Sequence, residues 1–94
     1  MSATKRTLLV GYDLVKPGKD YSKLIDHLKT FDGWWHNLDS TWLLRTTKTA
    51  GAVRDELKAY IDANDRVLVM DVSGDNWATY GFKQQANEWL QNHV

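Results

Sequence analysis

Thr7-Leu8-Leu9-Val10-Gly11-Tyr12-Asp13-Leu14 is the stretch that decides the fold. A short, unbroken apolar run such as this predicts a strand that is covered on both faces, because a strand with one exposed face would alternate apolar and polar residues. Asp13 closes the run. It is either a solvated carboxylate at a strand end or a functional residue held by a rigid scaffold.

The chain has 94 residues, which predicts a single domain over residues 1–94. Twelve basic and twelve acidic residues give a formal net charge of zero, so contact with nucleic acid would need a local basic patch. The absence of cysteine excludes a disulfide scaffold, a thiolate zinc site and a cysteine nucleophile. We expect a cytoplasmic protein without membrane association, because no apolar stretch reaches bilayer length and no signal-peptide pattern precedes the first strand.

Three helices follow from apolar residues at helical spacing. The first helix is predicted over residues 21–30, with Asp20 as its N-cap. The second is predicted to begin after Thr49 and to end near Asn64. The third is predicted over residues 82–92, where Phe82 begins an apolar stripe. The stripes of the three helices consist of Tyr21, Leu24, Ile25 and Leu28, then Val53, Leu57, Tyr60 and Ile61, then Phe82, Ala86, Trp89 and Leu90.

Three further strands are predicted from aromatic and β-branched composition. Residues 33–47 indicate two of them, joined by a turn within residues 37–40. Residues 66–72 form the last strand. Trp34, Trp35 and Trp42 belong to this region, and we interpret them as core or dimer residues. Because Trp34 and Trp35 point to opposite faces of an extended segment, both faces of the sheet need a cover or a partner.

The order β-α-β-β-α-β followed by a short helix predicts an α+β, ferredoxin-like antiparallel sheet. The expected strand order is 4-1-3-2, with the two long helices on one face and the C-terminal helix in addition. The fourth strand would then lie at an edge with apolar residues on both sides, and such an edge aggregates unless it is covered. The third helix or a second copy of the chain would cover it, so we predict a homodimer.

At Tyr12-Asp13 the sequence resembles the Cas-two family of small CRISPR-associated adaptation proteins. A closer resemblance is to a bacterial and phage group labelled SinR-family or Cas-two-like, and it extends over nearly the whole chain. The residues that carry it are Val10-Gly11-Tyr12-Asp13-Leu14, Pro17-Gly18, Asp20-Tyr21, Trp34-Trp35-His36, Leu38-Asp39-Ser40-Thr41-Trp42 and Ser73-Gly74.

The resemblance implies a dimer formed through the sheets, with the aspartates of the two first strands opposite each other. It implies that Asp13 is the catalytic and metal-binding residue if the protein is a nuclease dependent on Mg²⁺ or Mn²⁺. Other members of the family serve as a structural bridge that holds DNA. This chain departs from the family at its glutamine and Ser-Val-Phe-Glu signature, which is replaced by residues 37–42.

Other residues are weaker candidates for a site. Four basic residues would make a nucleic-acid-binding rim near the loops; they are Lys16, Lys19, Arg45 and Lys48. A mixed-charge, solvated surface is the alternative interpretation. His36 and Asp39 flank the predicted turn and would suit acid–base work, or they are a surface histidine and a turn aspartate. Asp71 ends the fourth strand, and we expect it beside Asp13.

Two functions stay open from the sequence. The first is a nucleic-acid-associated, Cas-two-like homodimer that binds RNA or DNA and cleaves it with a divalent metal ion. The second is a non-enzymatic interaction or regulatory module, such as an antitoxin-like partner or an assembly bridge, with a protein partner. Fold analogy does not decide between them.

Overall fold

Four strands and three α-helices make up the part of the chain that the computed structural model describes, residues 4–14 and 21–94. A short 3₁₀ turn, Lys58–Tyr60, follows the second helix. No helix in these two ranges is long and apolar enough to cross a membrane. The elements are β1 (Arg6–Asp13), α1 (Ser22–Leu28), β2 (Gly33–Leu38), β3 (Thr41–Thr46), α2 (Ala50–Leu57), β4 (Arg66–Asp71) and α3 (Gln84–His93).

The strands form one sheet in the order β2-β3-β1-β4, and every neighbouring pair is antiparallel. Read from the other edge, this is the order 4-1-3-2. The α+β class is confirmed. The connection between β2 and β3 is the two-residue turn Asp39-Ser40, inside the predicted window. A register shift between Trp35 and Leu38 interrupts the pairing of β2 with β3.

One face of the sheet, here called the inner face, packs against α1 and α2. Alternate residues of β1 and β3 meet the apolar stripes of both helices. Eight fully or almost fully buried side chains form this core: Leu8, Val10, Leu24, Leu28, Trp42, Leu44, Val53 and Leu57. The Thr49 side chain accepts a hydrogen bond from the Ala52 backbone N–H at 3.2 Å, which confirms the predicted cap of α2. The predicted cap of α1, Asp20, lies outside the described residues.

The opposite face, here called the outer face, packs against α3. A second, smaller core forms there from Trp35, Leu43, Ala86 and Leu90. The Trp35 indole N–H donates to the Ala86 carbonyl at 3.1 Å and fixes the helix to β2. Of the two covers expected for β4, the third helix or a second copy of the chain, the third helix packs mainly against β2 and β3. The largest buried side chain that packs against the apolar stripe of α3 is Trp35. It belongs to β2, at the edge of the sheet opposite β4.

The single helix α3 covers part of the outer face only. The register aligns Leu38, Thr41, Gly11 and Leu68 in one row across the four strands. Directly opposite residues of an antiparallel sheet share a face, so this whole row lies on the outer face. Three apolar side chains of the uncovered part are about half exposed: Leu38 47 %, Leu68 56 % and Met70 49 %. We call Leu38, Thr41, Gly11, Leu68 and Met70 the open half-face.

Candidate functional site

Asp13 is exposed at the end of β1, at the border of the open half-face. Arg66 is its direct partner in the register of β1 and β4, so the carboxylate and the guanidinium project from the same face. A shallow cavity of about 240 Å³ lies between them and is lined also by Gly11 and Leu68. The predicted site residue thus borders an apolar surface and has a cation as its neighbour.

This arrangement does not fit a resident metal ion within one chain. Magnesium takes one or two carboxylates in an octahedral set of oxygen ligands. Among residues 4–14 and 21–94, no three histidine, cysteine or acidic side chains form a group that could hold a metal. Asp13 supplies one carboxylate, and the positive charge of Arg66 opposite it opposes the approach of a cation.

Asp71 does not lie beside Asp13. Strands β1 and β4 are antiparallel, so Asp71 pairs in register with Leu8 near the start of β1. Its carboxylate accepts hydrogen bonds from the Ser73 hydroxyl at 2.7 Å and from Arg6 Nη1 at 3.2 Å. The bonds from Ser73 and then Arg6 lower the pKa of Asp71, which makes it part of a structural turn.

The two residues of the predicted basic rim that the structure describes, Arg45 and Lys48, do not lie together. Lys16 and Lys19 lie outside the described residues. Arg45 projects from the outer face, where Nη1 donates to the Thr7 hydroxyl at 2.8 Å and to the His93 carbonyl at 3.1 Å. The Thr7 hydroxyl also donates to that carbonyl. Arg45 therefore ties the last turn of α3 to the sheet.

Lys48 belongs to a different cluster, on the side of the sheet that carries α1 and α2. Its Nζ lies 2.6 Å from Glu56 Oε2, and His27 Nε2 lies 3.0 Å from Glu56 Oε1. The hydrogen bond from Lys48, followed by that from His27, lowers the pKa of Glu56 against the opposing effect of burial. His27 also stacks on Tyr60, with ring centroids 4.7 Å apart. These contacts link α1 to α2, and they pair the Lys48 ammonium group with the Glu56 carboxylate.

The three predicted aromatic residues have different surroundings. Trp42 is completely buried in the inner core, and its indole N–H donates to the Tyr12 hydroxyl at 3.0 Å. Trp35 is buried in the outer core. Trp34 is 41 % exposed, and Lys29 Nζ lies 5.5 Å from its ring centroid. Of the three, Trp34 alone offers a large accessible aromatic surface.

His36 and Asp39 do not form a histidine–carboxylate pair. His36 Nε2 lies 3.2 Å from the backbone carbonyl of Asp39, and its ring stacks on Trp42 at a centroid distance of 3.8 Å. The Tyr12 hydroxyl donates to the same carbonyl at 3.4 Å. These contacts hold the hairpin turn against β1, and they do not present the Asp39 carboxylate to the histidine.

Sequence reasoning indicated apolar residues on both sides of β4 but did not single out Leu68 and Met70 as exposed, and it missed a groove beside β2. Leu68 and Met70 are two positions apart in β4 and therefore share a face, and this spacing is the signal that could have identified them. Trp89 of α3 and Lys83, the residue just before that helix, approach β2, a contact that a helical stripe alone does not predict.

No protein-family model matches this chain, and no solved structure matches it. The features that bear on function are therefore the open half-face with its charged border and the groove beside β2.

Proposed function

We propose that this protein is a self-associating, non-enzymatic interaction module, and that two copies associate through the open half-face. The observation that carries the proposal is the incomplete cover of the outer face, which leaves Leu68 and Met70 about half exposed. Soluble monomers rarely expose contiguous apolar patches, and larger ones mark interaction sites. The interface proposed here belongs to a sheet that we infer to be ferredoxin-like.

A second copy of the chain suits this surface for reasons of charge. The border of the open half-face carries one anion and one cation, Asp13 and Arg66, on adjacent strands. In a two-fold contact the same patch faces itself, so the carboxylate of one copy can meet the guanidinium of the other. The net charge of zero adds no overall repulsion between copies.

Replacing Leu68 with aspartate is expected to convert the dimer to a monomer. The substitution would bury an unpaired carboxylate in the contact, which weakens association at least about a hundredfold. Light scattering after size exclusion, at tens of micromolar protein, measures the mass. Tyr80→Asp is the matched control, since Tyr80 is 99 % exposed and lies outside the open half-face.

A second variant protects this test against misfolding. A Cβ at Gly11 would meet nothing nearer than Leu9 Cδ2 at 3.9 Å, so Gly11→Arg leaves the fold intact and places a bulky charge in the contact. A wild-type chain that is monomeric at these concentrations contradicts the proposal. So does a dimer that survives both substitutions.

The second candidate is a nucleic-acid-associated, Cas-two-like dimer with divalent-metal-dependent nuclease activity. The observation that favours it is the exposure of Asp13 at a strand end on the border of the proposed interface, where two copies would bring two such carboxylates into one region. A divalent ion would supply charge stabilisation for phosphodiester cleavage. Within residues 4–14 and 21–94, one chain alone does not group the ligands for such an ion.

Under this second candidate, Asp13→Asn abolishes cleavage of RNA or duplex DNA in the presence of Mg²⁺ or Mn²⁺, with a loss of at least about a hundredfold. Asp55→Asn serves as the control, because Asp55 is exposed on α2 and pairs with Arg54. Equal cleavage by the wild type and Asp13→Asn assigns the activity to a contaminant. Cleavage by neither leaves the interaction module as the function.

A further inference from the structure

A groove runs along the free edge of β2, between that strand and α3, and has a volume of about 250 Å³. Trp34, Trp35 and His36 contribute from the strand. Gln85 and Trp89 contribute from the helix, and Lys83, the residue just before the helix, stands at one end. We call these six residues the β2 groove. It combines a strand edge with a helical wall, which is the geometry of sites that bind extended peptides.

The backbone of β2 is open along this edge. The Tyr12 N–H donates to the Ser40 carbonyl at 3.1 Å, so Ser40 directs its backbone groups to β1. Successive residues of a strand direct their N–H and C=O groups to opposite sides. Leu43 and Arg45 therefore direct theirs to β2. Their register partners are Trp35 and Gly33. Trp34, which lies between them, therefore directs its N–H and C=O groups away from the sheet.

The side chains of the groove specify charge as well as shape. Lys83 is its ionised residue. No carboxylate contributes to the lining. Trp89 supplies a large aromatic surface on the outer-face side of this edge, and the Trp34 ring, which packs on Trp42, supplies one on the inner-face side. A ligand with alternating apolar side chains and an acidic end near Lys83 would meet each of these groups.

We propose that the β2 groove binds an extended, acidic peptide segment of another protein, which adds to the sheet as a fifth strand beside β2. The outward N–H and C=O groups of Trp34 present a donor and an acceptor side by side, which suits the backbone of a peptide strand and which nucleic acid does not reproduce. This site is separate from the proposed dimer contact. A monomeric chain would bind the peptide equally well, so failure of one proposal leaves the other in place.

The test uses an end-capped octapeptide of alternating glutamate and valine, added to the full-length ¹⁵N-labelled protein. The expected result is a saturable shift of the backbone amide signals of Trp34 and His36 and of the Trp89 indole signal. A second peptide carries N-methyl groups on the residues that face β2. It keeps every side chain and loses the backbone donors, so the expected result is loss of binding.

Charge selectivity is tested with a matched pair of variants. Lys83→Glu is expected to weaken binding of the glutamate peptide about fivefold, whereas Lys58→Glu, an equal charge change on the 3₁₀ turn after α2, leaves it unchanged. A peptide with lysine in place of glutamate is expected to bind more weakly to the wild type. The spectrum of each variant reports whether it is folded.

Four results would overturn the proposal. The first is no shift at Trp34 and His36. The second is equal binding of the N-methylated peptide or of the lysine peptide. The third is a shift confined to the other sheet edge, at Val67 and Val69. The fourth is displacement of the peptide by single-stranded oligothymidylate, which would assign the exposed Trp34 ring to base stacking.

Discussion

Replacing Trp42 with alanine is expected to remove a large part of the protein's free energy of unfolding. Trp42 is completely buried at the centre of the inner core, where it contacts the Trp34 and His36 rings. Large-to-small changes of this kind cost about 3–5 kcal/mol, against a total stability of about 5–15 kcal/mol for small domains. The loss also leaves the Tyr12 hydroxyl without its indole donor. Urea denaturation followed by circular dichroism measures the change.

The control for Trp42→Ala is Tyr80→Ala. Tyr80 is almost fully exposed in the connection between β4 and α3, so its removal should change the free energy of unfolding by less than about 0.5 kcal/mol. Equal effects of the two substitutions would mean that Trp42 does not organise the inner core.

The second large effect is expected from Trp35→Ala, and it should be confined to one layer of the fold. Trp35 fills the outer core and contacts the Phe82 ring edge-on, with the ring centroids 5.3 Å apart. Its indole N–H donates a hydrogen bond to the Ala86 carbonyl. Its removal should detach α3 while the inner core and the sheet persist. Hydrogen exchange at the Ala86 and Leu90 amides is expected to accelerate at least about a hundredfold, because their protection requires the docked helix.

The amides of Leu8 and Leu44, which belong to the inner core, are the internal reference for this experiment. They should exchange in the Trp35→Ala variant at nearly the wild-type rate. A uniform acceleration at all four positions would show that the two layers unfold as one cooperative unit and would contradict the prediction.

Local patterns in the sequence predicted most of the architecture. The unbroken apolar run of β1 indicated a strand covered on both faces, and β1 lies between β3 and β4 with helices on either side. The stripe led by Val53 and Leu57 identified the buried face of α2, and Thr49 identified its start. These features depend on residues close together in sequence, where spacing and chemistry suffice.

The remaining features depend on contacts between residues far apart in the sequence, and local patterns did not predict them. The stripe of Ala86 and Leu90 predicts an amphipathic helix, and it does not specify which part of the sheet the helix covers. The expectation that Asp71 lies beside Asp13 was wrong. Both residues lie at the C-terminal ends of their strands, and adjacent antiparallel strands have their C-terminal ends at opposite ends of the pair. Burial of the Trp35 ring, rather than cover for β4, decided where α3 packs.

The candidate site was less predictable than the fold. A basic residue in a sequence has a charge but no visible partner. Arg45 turned out to bond Thr7 and the end of α3, and Lys48 to bond Glu56. The surfaces that remain open were set by what α3 leaves uncovered, and that depends on three-dimensional packing.

The contact of Thr7 with the His93 carbonyl joins positions 86 apart along the chain. The residues of the sheet that hydrogen-bond α3 lie in β1, β2 and β3, so the helix reaches its full set of contacts only once those three strands have paired. Closing such a distant contact is slow, and we infer that α3 docks last. During synthesis, the apolar side of the newly formed sheet therefore passes through a period without its cover. The exposed apolar area of the outer face, through which two folded copies would associate, is then at its largest. Nascent chains on neighbouring ribosomes would be most prone to aggregate at that stage.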